Sequence, residues 1–201
     1  YKASIETSQT GIPTMRSMVL EFTEDKTCHY VDNQYMLGEN LLVSPIFNEE
    51  GMGEYYLPKG RWTNYLTGEK LEGGQWIKEK HGYLSIPLIV KENSIIAVGN
   101  QDTMPDYDYA DGVELKVYEL EEEKEQSTVV YAMNQAKELE MSIKKSGNEF
   151  KIKLNAQKPC TIRLVNVVAD SVTGGTLQID GNDTIVVPEV RDAKTPNADM
   201  F

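Results

Sequence analysis

Glu138-Leu139-Glu140-Met141-Ser142-Ile143-Lys144 runs through Lys145-Ser146-Gly147-Asn148-Glu149 and returns as Phe150-Lys151-Ile152-Lys153-Leu154-Asn155. Leu139, Met141 and Ile143 alternate with polar residues on the way out, and Phe150, Ile152 and Leu154 do the same on the way back. Alternation of period two gives each strand one apolar face. A Gly-Asn turn between two such runs predicts a hairpin lying on a core. Cys160, Ile162 and Leu164 continue the pattern against Thr161 and Arg163. Two further strands are expected near residues 176–179 and 184–187, joined by Asp180-Gly181-Asn182-Asp183. The last third of the chain therefore reads as all-β.

Upstream, from Asn40, short apolar runs recur between Gly, Pro and Asn at a spacing suited to a sandwich. They are residues 41–47, 53–58, 62–65, 76–77, 86–90 and 94–98, with Lys59-Gly60, Thr67-Gly68-Glu69 and Glu72-Gly73-Gly74 as turns. A loop over 99–112, rich in Asp and Tyr and carrying Pro105, is the natural boundary between two β domains. The cluster Glu121-Glu122-Glu123-Lys124-Glu125 reads as a solvated hairpin tip. Residues 191–201 have no periodicity and are expected to fray.

The first forty residues differ. Residues 1–10 suit the end of a helix closed by Gly11, with Pro13 as a stop. Residues 15–22 read as a strand. Residues 25–38 read as a helix, with Tyr30, Gln34 and Leu37 at spacings of four and three and Gly38 at its end. Such an α/β piece is too short to bury its own faces and is expected to be part of a larger domain.

Composition narrows the function classes. The chain has 201 residues, and its 20 Lys+Arg against 32 Asp+Glu leave a net charge of −12 at pH 7. An acidic surface repels phosphate backbones and anionic lipid, so neither a nucleic-acid partner nor membrane docking is expected. The apolar runs are far shorter than a bilayer span, and no export signal is visible. The first residue is Tyr rather than Met, so the true start is expected upstream. Two cysteines, Cys28 and Cys160, with His29 and His81, support neither a disulfide framework nor a zinc centre. Both are expected to be reduced, as in a cytoplasmic protein.

Several residues carry chemistry-bearing side chains. Glu21 and Asp25 follow a strand, and a carboxylate pair is what glycoside hydrolysis uses; a surface strand–helix connection explains them as well. His81, beside Lys78, Glu79 and Lys80, is expected to face solvent, because no Ser, Cys or Asp motif accompanies it. The pairs Tyr55/Tyr56, Trp62/Tyr65 and Tyr107/Tyr109 offer faces on which a sugar ring could stack, or serve as core. Of these, Trp62, Tyr65 and Tyr107 are the substrate-binding candidates. Asp102, Asp106, Asp108 and Asp111 offer oxygen ligands to Ca²⁺ but match no EF-hand spacing, so no metal site and no cofactor are expected. A phosphate loop, a nucleophile elbow and a His-Glu-x-x-His run are all absent.

The run Gly11-Ile12-Pro13-Thr14-Met15-Arg16-Ser17-Met18-Val19-Leu20-Glu21-Phe22 resembles a segment of glycoside hydrolase family 31, the α-glucosidase and α-xylosidase family. So does Asp32-Asn33-Gln34-Tyr35-Met36-Leu37-Gly38-Glu39-Asn40-Leu41-Leu42-Val43-Ser44-Pro45-Ile46. Tyr56-Leu57-Pro58-Lys59-Gly60-Arg61-Trp62-Thr63-Asn64 and Ile86-Pro87-Leu88-Ile89-Val90 are similar to later strands of that family. Gly99-Asn100-Gln101-Asp102-Thr103-Met104-Pro105-Asp106-Tyr107 is similar to its bacterial α-xylosidase branch.

The resemblance implies two consecutive antiparallel β-sandwich domains preceded by a short α/β remnant of a (β/α)8 barrel. Residues 1–40 would end the barrel, 41–112 would be the proximal sandwich and 113–190 the distal one. It also implies a retaining α-glycosidase as parent, acting on terminal α-linked sugars of an oligosaccharide substrate. The family's aspartate nucleophile sits in a Trp-x-Asp-x-Asn-Glu type motif, yet Trp62 is followed by Thr-Asn-Tyr and Trp76 by Ile-Lys-Glu. No catalytic residue is therefore assigned here. The expected partner is the upstream barrel of the same polypeptide, and homo-oligomer formation is left open. The rival reading is a stand-alone carbohydrate-binding or structural β-sandwich protein.

Overall fold

A computed structural model describes residues 1–189; the tail 191–201, expected to fray, lies outside the described residues. The chain forms two compact units, Ala3–Glu92 and Asn93 onward, the second also taking in Tyr1 and Lys2.

The first unit begins with α1 (Lys2–Thr10), followed by β1 (Met15–Ser17), the one-turn helix α2 (Met18–Glu21) and a 3₁₀ turn (Lys26–His29). Then come β2 (Tyr35–Leu37), β3 (Leu41–Val43), β4 (Met52–Leu57), β5 (Arg61–Asn64), β6 (Lys70–Glu72), β7 (Gln75–Lys80) and β8 (Leu88–Lys91). Six of these strands form an antiparallel sheet in the order β1-β2-β3-β8-β5-β6, and β4 pairs with β7 as a separate ribbon. Met36, Leu42, Trp62 and Ile89 from the sheet share one buried cluster with Tyr55 and Leu57 from the ribbon. Two layers around one core make a sandwich.

Two expectations fail here. Residues 15–22 do not form one strand: only Met15–Ser17 is extended, and α2 follows. The helical turn drives Met18 into the core and leaves Val19 and Leu20 exposed. Nor is 25–38 a helix. Its 3₁₀ turn is brief, and Tyr35–Leu37 is a strand pairing with both β1 and β3. Gly38, at φ +62°, turns the β2–β3 hairpin rather than capping a helix, and its N–H donates to Thr14 O at 2.7 Å. Gln34 is buried and holds the Tyr56 backbone from both sides, donating to its carbonyl at 2.8 Å and accepting from its N–H at 2.7 Å. The helical spacing of Gln34 thus reflects a hydrogen-bond role and not an apolar face.

The second unit contains β9 (Ser94–Val98), β10 (Val113–Tyr118), β11 (Glu125–Tyr131), β12 (Lys137–Ser146), β13 (Glu149–Ala156), β14 (Cys160–Leu164), β15 (Gly175–Asp180) and β16 (Asp183–Pro188). One sheet has the order β15-β16-β14-β10-β9 and the other β11-β12-β13. Both contribute to a single core that includes Leu115, Ile162, Leu139, Met141 and Ile143. The pair β10–β14 is parallel, an exception to the antiparallel pattern. The β12–β13 and β15–β16 hairpins turn on Gly147-Asn148 and Gly181-Asn182. Positive φ at the glycine alone, +59° and +61°, marks the type II′ turn that matches strand twist.

The compact units divide after Glu92, whereas loop composition pointed to 99–112. Strand β9 pairs with β10 across that loop, and Ala110 within it is part of the second core. The acidic run 121–125 connects β10 to β11. Glu123 and Glu122 are ion-paired with Lys144 and Lys145 and accept from Ser146 Oγ and the Gly147 N–H at the neighbouring hairpin turn.

Candidate functional site

Stacking needs an exposed aromatic face. Trp62 does not offer one: it is 1% exposed, its Nε1–H donates to Pro58 O at 2.9 Å, and Phe22 tilts against it at 6.1 Å. Its strand position points it between the two layers, so this candidate is a core residue. Tyr65 is half-buried at the end of β5, where its N–H donates to Leu88 O at 2.8 Å. Tyr107 is half-buried in the other unit, edge-on to Tyr109 at 4.8 Å. Its hydroxyl rests on Gly99, where a Cβ would come within 1.7 Å of it. Tyr109 in turn donates to Pro105 O at 2.8 Å and lies 5.1 Å from the ring of Tyr1. Trp62 and Tyr65 thus belong to one unit and Tyr107 to the other. Tyr55 is buried, Tyr56 nearly so, and Trp76, tilted over Tyr56 at 5.6 Å, is the half-exposed tryptophan that sequence reading passed over.

The carboxylates are engaged by the fold. Glu21 pairs with Arg16 at 2.8 Å. Asp25 caps the 3₁₀ turn, accepting from the Thr27 N–H at 3.0 Å, and also accepts from the Tyr56 hydroxyl at 2.9 Å. Burial first, then this bond to Asp25, pushes the Tyr56 phenol up from its ordinary range. Asp108 is held by Lys158 at 2.7 Å, a contact that lowers its carboxyl below the ordinary range. Asp102, Asp106 and Asp111 are exposed. Among the described residues, no group of three or more His, Cys, Asp or Glu side chains is placed to hold a metal ion. Cys28 and Cys160 are buried and free, and burial pushes each thiol up to about 11.

His81 departs from expectation. Its side chain is only 9% exposed, and both ring nitrogens are bonded, one to Glu79 Oε1 at 2.9 Å and the other to Ser85 Oγ at 3.1 Å. Glu79 Oε1 also accepts from the buried Tyr55 hydroxyl at 2.9 Å, and burial followed by that bond drives the Tyr55 phenol far up. Hydroxyl, imidazole and carboxylate in this order are the connectivity of an activated serine. Here the Ser85 N–H closes a turn on Gly82 O at 3.2 Å, and Glu79 is shared with Tyr55. What the set does is fix the base of the loop between β7 and β8. Alternation along β7 could have flagged Glu79, since Ile77 and Glu79 share an inward face. The 24-residue separation of Tyr55 from Glu79 hid the rest.

Two sandwiches in tandem can be compared with known proteins. The profile for the glycosyl hydrolase family 31 C-terminal domain matches residues 11–96, and the one for the C-terminal domain of the α-xylosidase YicI matches 108–195. The chain belongs to glycoside hydrolase family 31. It is the C-terminal portion of that family's architecture, and its matches include the α-xylosidase branch. The α-xylosidase XylQ of Lactiplantibacillus pentosus is 37% identical over 123 residues, 60% of this chain but 16% of the relative. An α-xylosidase of Emericella nidulans is 37% identical over 117 residues, 54% of this chain and 15% of the relative. The cycloalternan-forming enzyme of Listeria monocytogenes superimposes with a TM-score of 0.82 at 22% identity, over 98% of this chain and 21% of that one. At that identity the superposition speaks to fold alone. The chain thus spans about a sixth of the curated relatives it matches. No helix among the described residues is long and apolar enough to cross a membrane.

Proposed function

We propose that this chain is the rear β scaffold of a retaining α-glycosidase of the α-xylosidase or α-glucosidase type, which removes terminal α-linked sugars. The chemistry would reside in a (β/α)8 barrel elsewhere in the same polypeptide. There a carboxylate forms a covalent glycosyl-enzyme and a protonated carboxyl assists departure of the leaving group. Residues 1–40 carry the passage from the barrel's last elements into the sandwich, whose sheet β1 and β2 join. The unit ending at Glu92 would be the proximal sandwich and the unit from Asn93 onward, which takes in β9, the distal one. The scaffold supports the barrel and is inactive alone. A cytoplasmic setting belongs to this reading, supported by two buried, free thiols.

One observation carries the reading. Two consecutive C-terminal-domain matches cover most of the chain, while its sequence holds no Trp-x-Asp-x-Asn-Glu run. Glu21 and Asp25, the carboxylates nearest in kind, are occupied by Arg16 and by capping. The test is to assay the full-length polypeptide and the 201-residue chain on p-nitrophenyl α-xyloside and α-glucoside. Turnover by the full-length protein alone is expected; turnover by the 201-residue chain would refute the scaffold role. Calorimetry of that chain with xylose- and glucose-terminated oligosaccharides should show no binding, and clear binding would point to a stand-alone sugar-binding module.

A further inference from the structure

In the first unit, the loop 44–51 and the loop 81–87 lie side by side and are hydrogen-bonded to each other. The Ser44 N–H donates to Pro87 O at 3.2 Å and the His81 N–H to Gly51 O at 2.8 Å. Gly53 sits where a Cβ would fall 2.9 Å from Pro87 Cγ and 3.4 Å from His81 Cδ2, so the loop bases are closely apposed. His81, bonded at both ring nitrogens to Glu79 and Ser85, holds the second loop in place. On these braced loops stand Phe47 at 84% exposure, Tyr83 at 108%, Leu84 at 100% and Ile86 at 41%. Single exposed apolar residues are ordinary, but four on two loops hydrogen-bonded to each other concentrate apolar surface in one region of the unit.

We infer that these loops are where the catalytic barrel of the same polypeptide docks, with Tyr83 and Leu84 as the principal anchors. The inference rests on the proposed scaffold role and names its contact surface. Size favours this occupant. The patch offers on the order of 500 Å², short of the roughly 800 Å² per partner that a stable association between separate molecules needs. Joined in one chain, the partner is present at high effective concentration and a smaller patch suffices. The matched relatives carry more than four-fifths of their length outside the part this chain covers.

The test is the double substitution Tyr83→Ser/Leu84→Ser, made in the full-length polypeptide and in the 201-residue chain, with thermal midpoints read by circular dichroism. A fall of about 2–4 °C or more is expected in the full-length protein. No change is expected in the 201-residue chain, where both side chains are in water. The apolar swap Tyr83→Phe/Leu84→Met should keep the full-length midpoint. An unchanged full-length midpoint, or an equal fall in both proteins, would overturn the docking surface. Conversion of a full-length dimer to monomer by the double substitution, seen by light scattering, would assign the loops to a second copy and overturn it too. The midpoint does not depend on glycosidase turnover, so a full-length protein inactive on α-glycosides would sink the scaffold reading separately.

Discussion

The two sandwiches solve their surfaces differently. In the unit Ala3–Glu92, large apolar side chains stand in water at many places, among them Tyr30, Phe47, Trp76, Tyr83 and Leu84. Among the described residues of the unit from Asn93 onward, exposed residues of this kind are fewer, and ion-paired networks dress the surface instead. Arg163 there binds Glu114 at 2.7 Å, Asp180 at 2.9 Å and Asp183 at 3.0 Å, while Lys158 bridges Asp108 and Glu138. Both units have a full core, so the difference lies outside it. If the barrel docks as proposed, the exposed apolar side chains of the first unit are what it covers, while the second unit meets water with paired charges.

The largest effects test whether the cores are separate. Ile143→Ala should cost about 2–5 kcal/mol in the second unit and Trp62→Ala about 3–5 kcal/mol in the first. Both tryptophans lie in the first unit, so tryptophan fluorescence follows that unit while circular dichroism follows both. Ile143→Ala should lower part of the dichroism transition in urea and leave the fluorescence midpoint in place. A common shift in both signals would merge the two units into one.

A smaller effect sharpens the contrast in surface charge. Arg163→Met strands the half-buried Glu114 and Asp183, while Asp180 stays in water, and should cost about 2 kcal/mol by urea unfolding. Lys78→Ala, at the exposed Glu54 pair of the first unit, should change stability by less than about 0.5 kcal/mol. Equal losses would remove the distinction. Asp25→Ala should cost about 1 kcal/mol, because it removes a cap and leaves the Tyr56 hydroxyl without its acceptor.

One effect should be shared by both units. Each unit buries one thiol, Cys28 or Cys160, raised from 9.0 to about 11. The unfolded chain therefore releases these protons at lower pH than the folded one. Stability is fully present below pH 9 and falls as pH rises toward 11 in both units. Urea midpoints at pH 8 and 10 should show the decline, and the Cys28→Ala/Cys160→Ala double variant should show less of it. An undiminished decline in that variant would assign the pH response to other groups.

How much of this was legible depended on whether the signal was local. The β12–β13 hairpin was readable because alternation and a two-residue Gly-Asn turn are properties of adjacent residues. The same holds for β15–β16. Residues 15–38 misled, because Gln34 and Met18 are placed by partners far along the chain: the Tyr56 backbone for one and the joint core of sheet and ribbon for the other. Strand β10 went unread although Val113, Leu115 and Val117 alternate inward. The setting of His81 needed Tyr55, Glu79 and Ser85 at once, and only the last two are its sequence neighbours.

By itself, the order of residues determined that this is a β-rich chain of sandwich type, with family-like strand and turn motifs and without a catalytic run. A side chain's polarity and its neighbours two positions away are enough to say which face of a strand is wet. Tertiary structure alone decided that β9 pairs with β10, that β10 lies parallel to β14, and that Trp62 is inside while Tyr83 is out. Both edges of a strand carry the same backbone donors and acceptors, so pairing is chosen by which apolar faces can close over one core. That choice involves the whole fold at once.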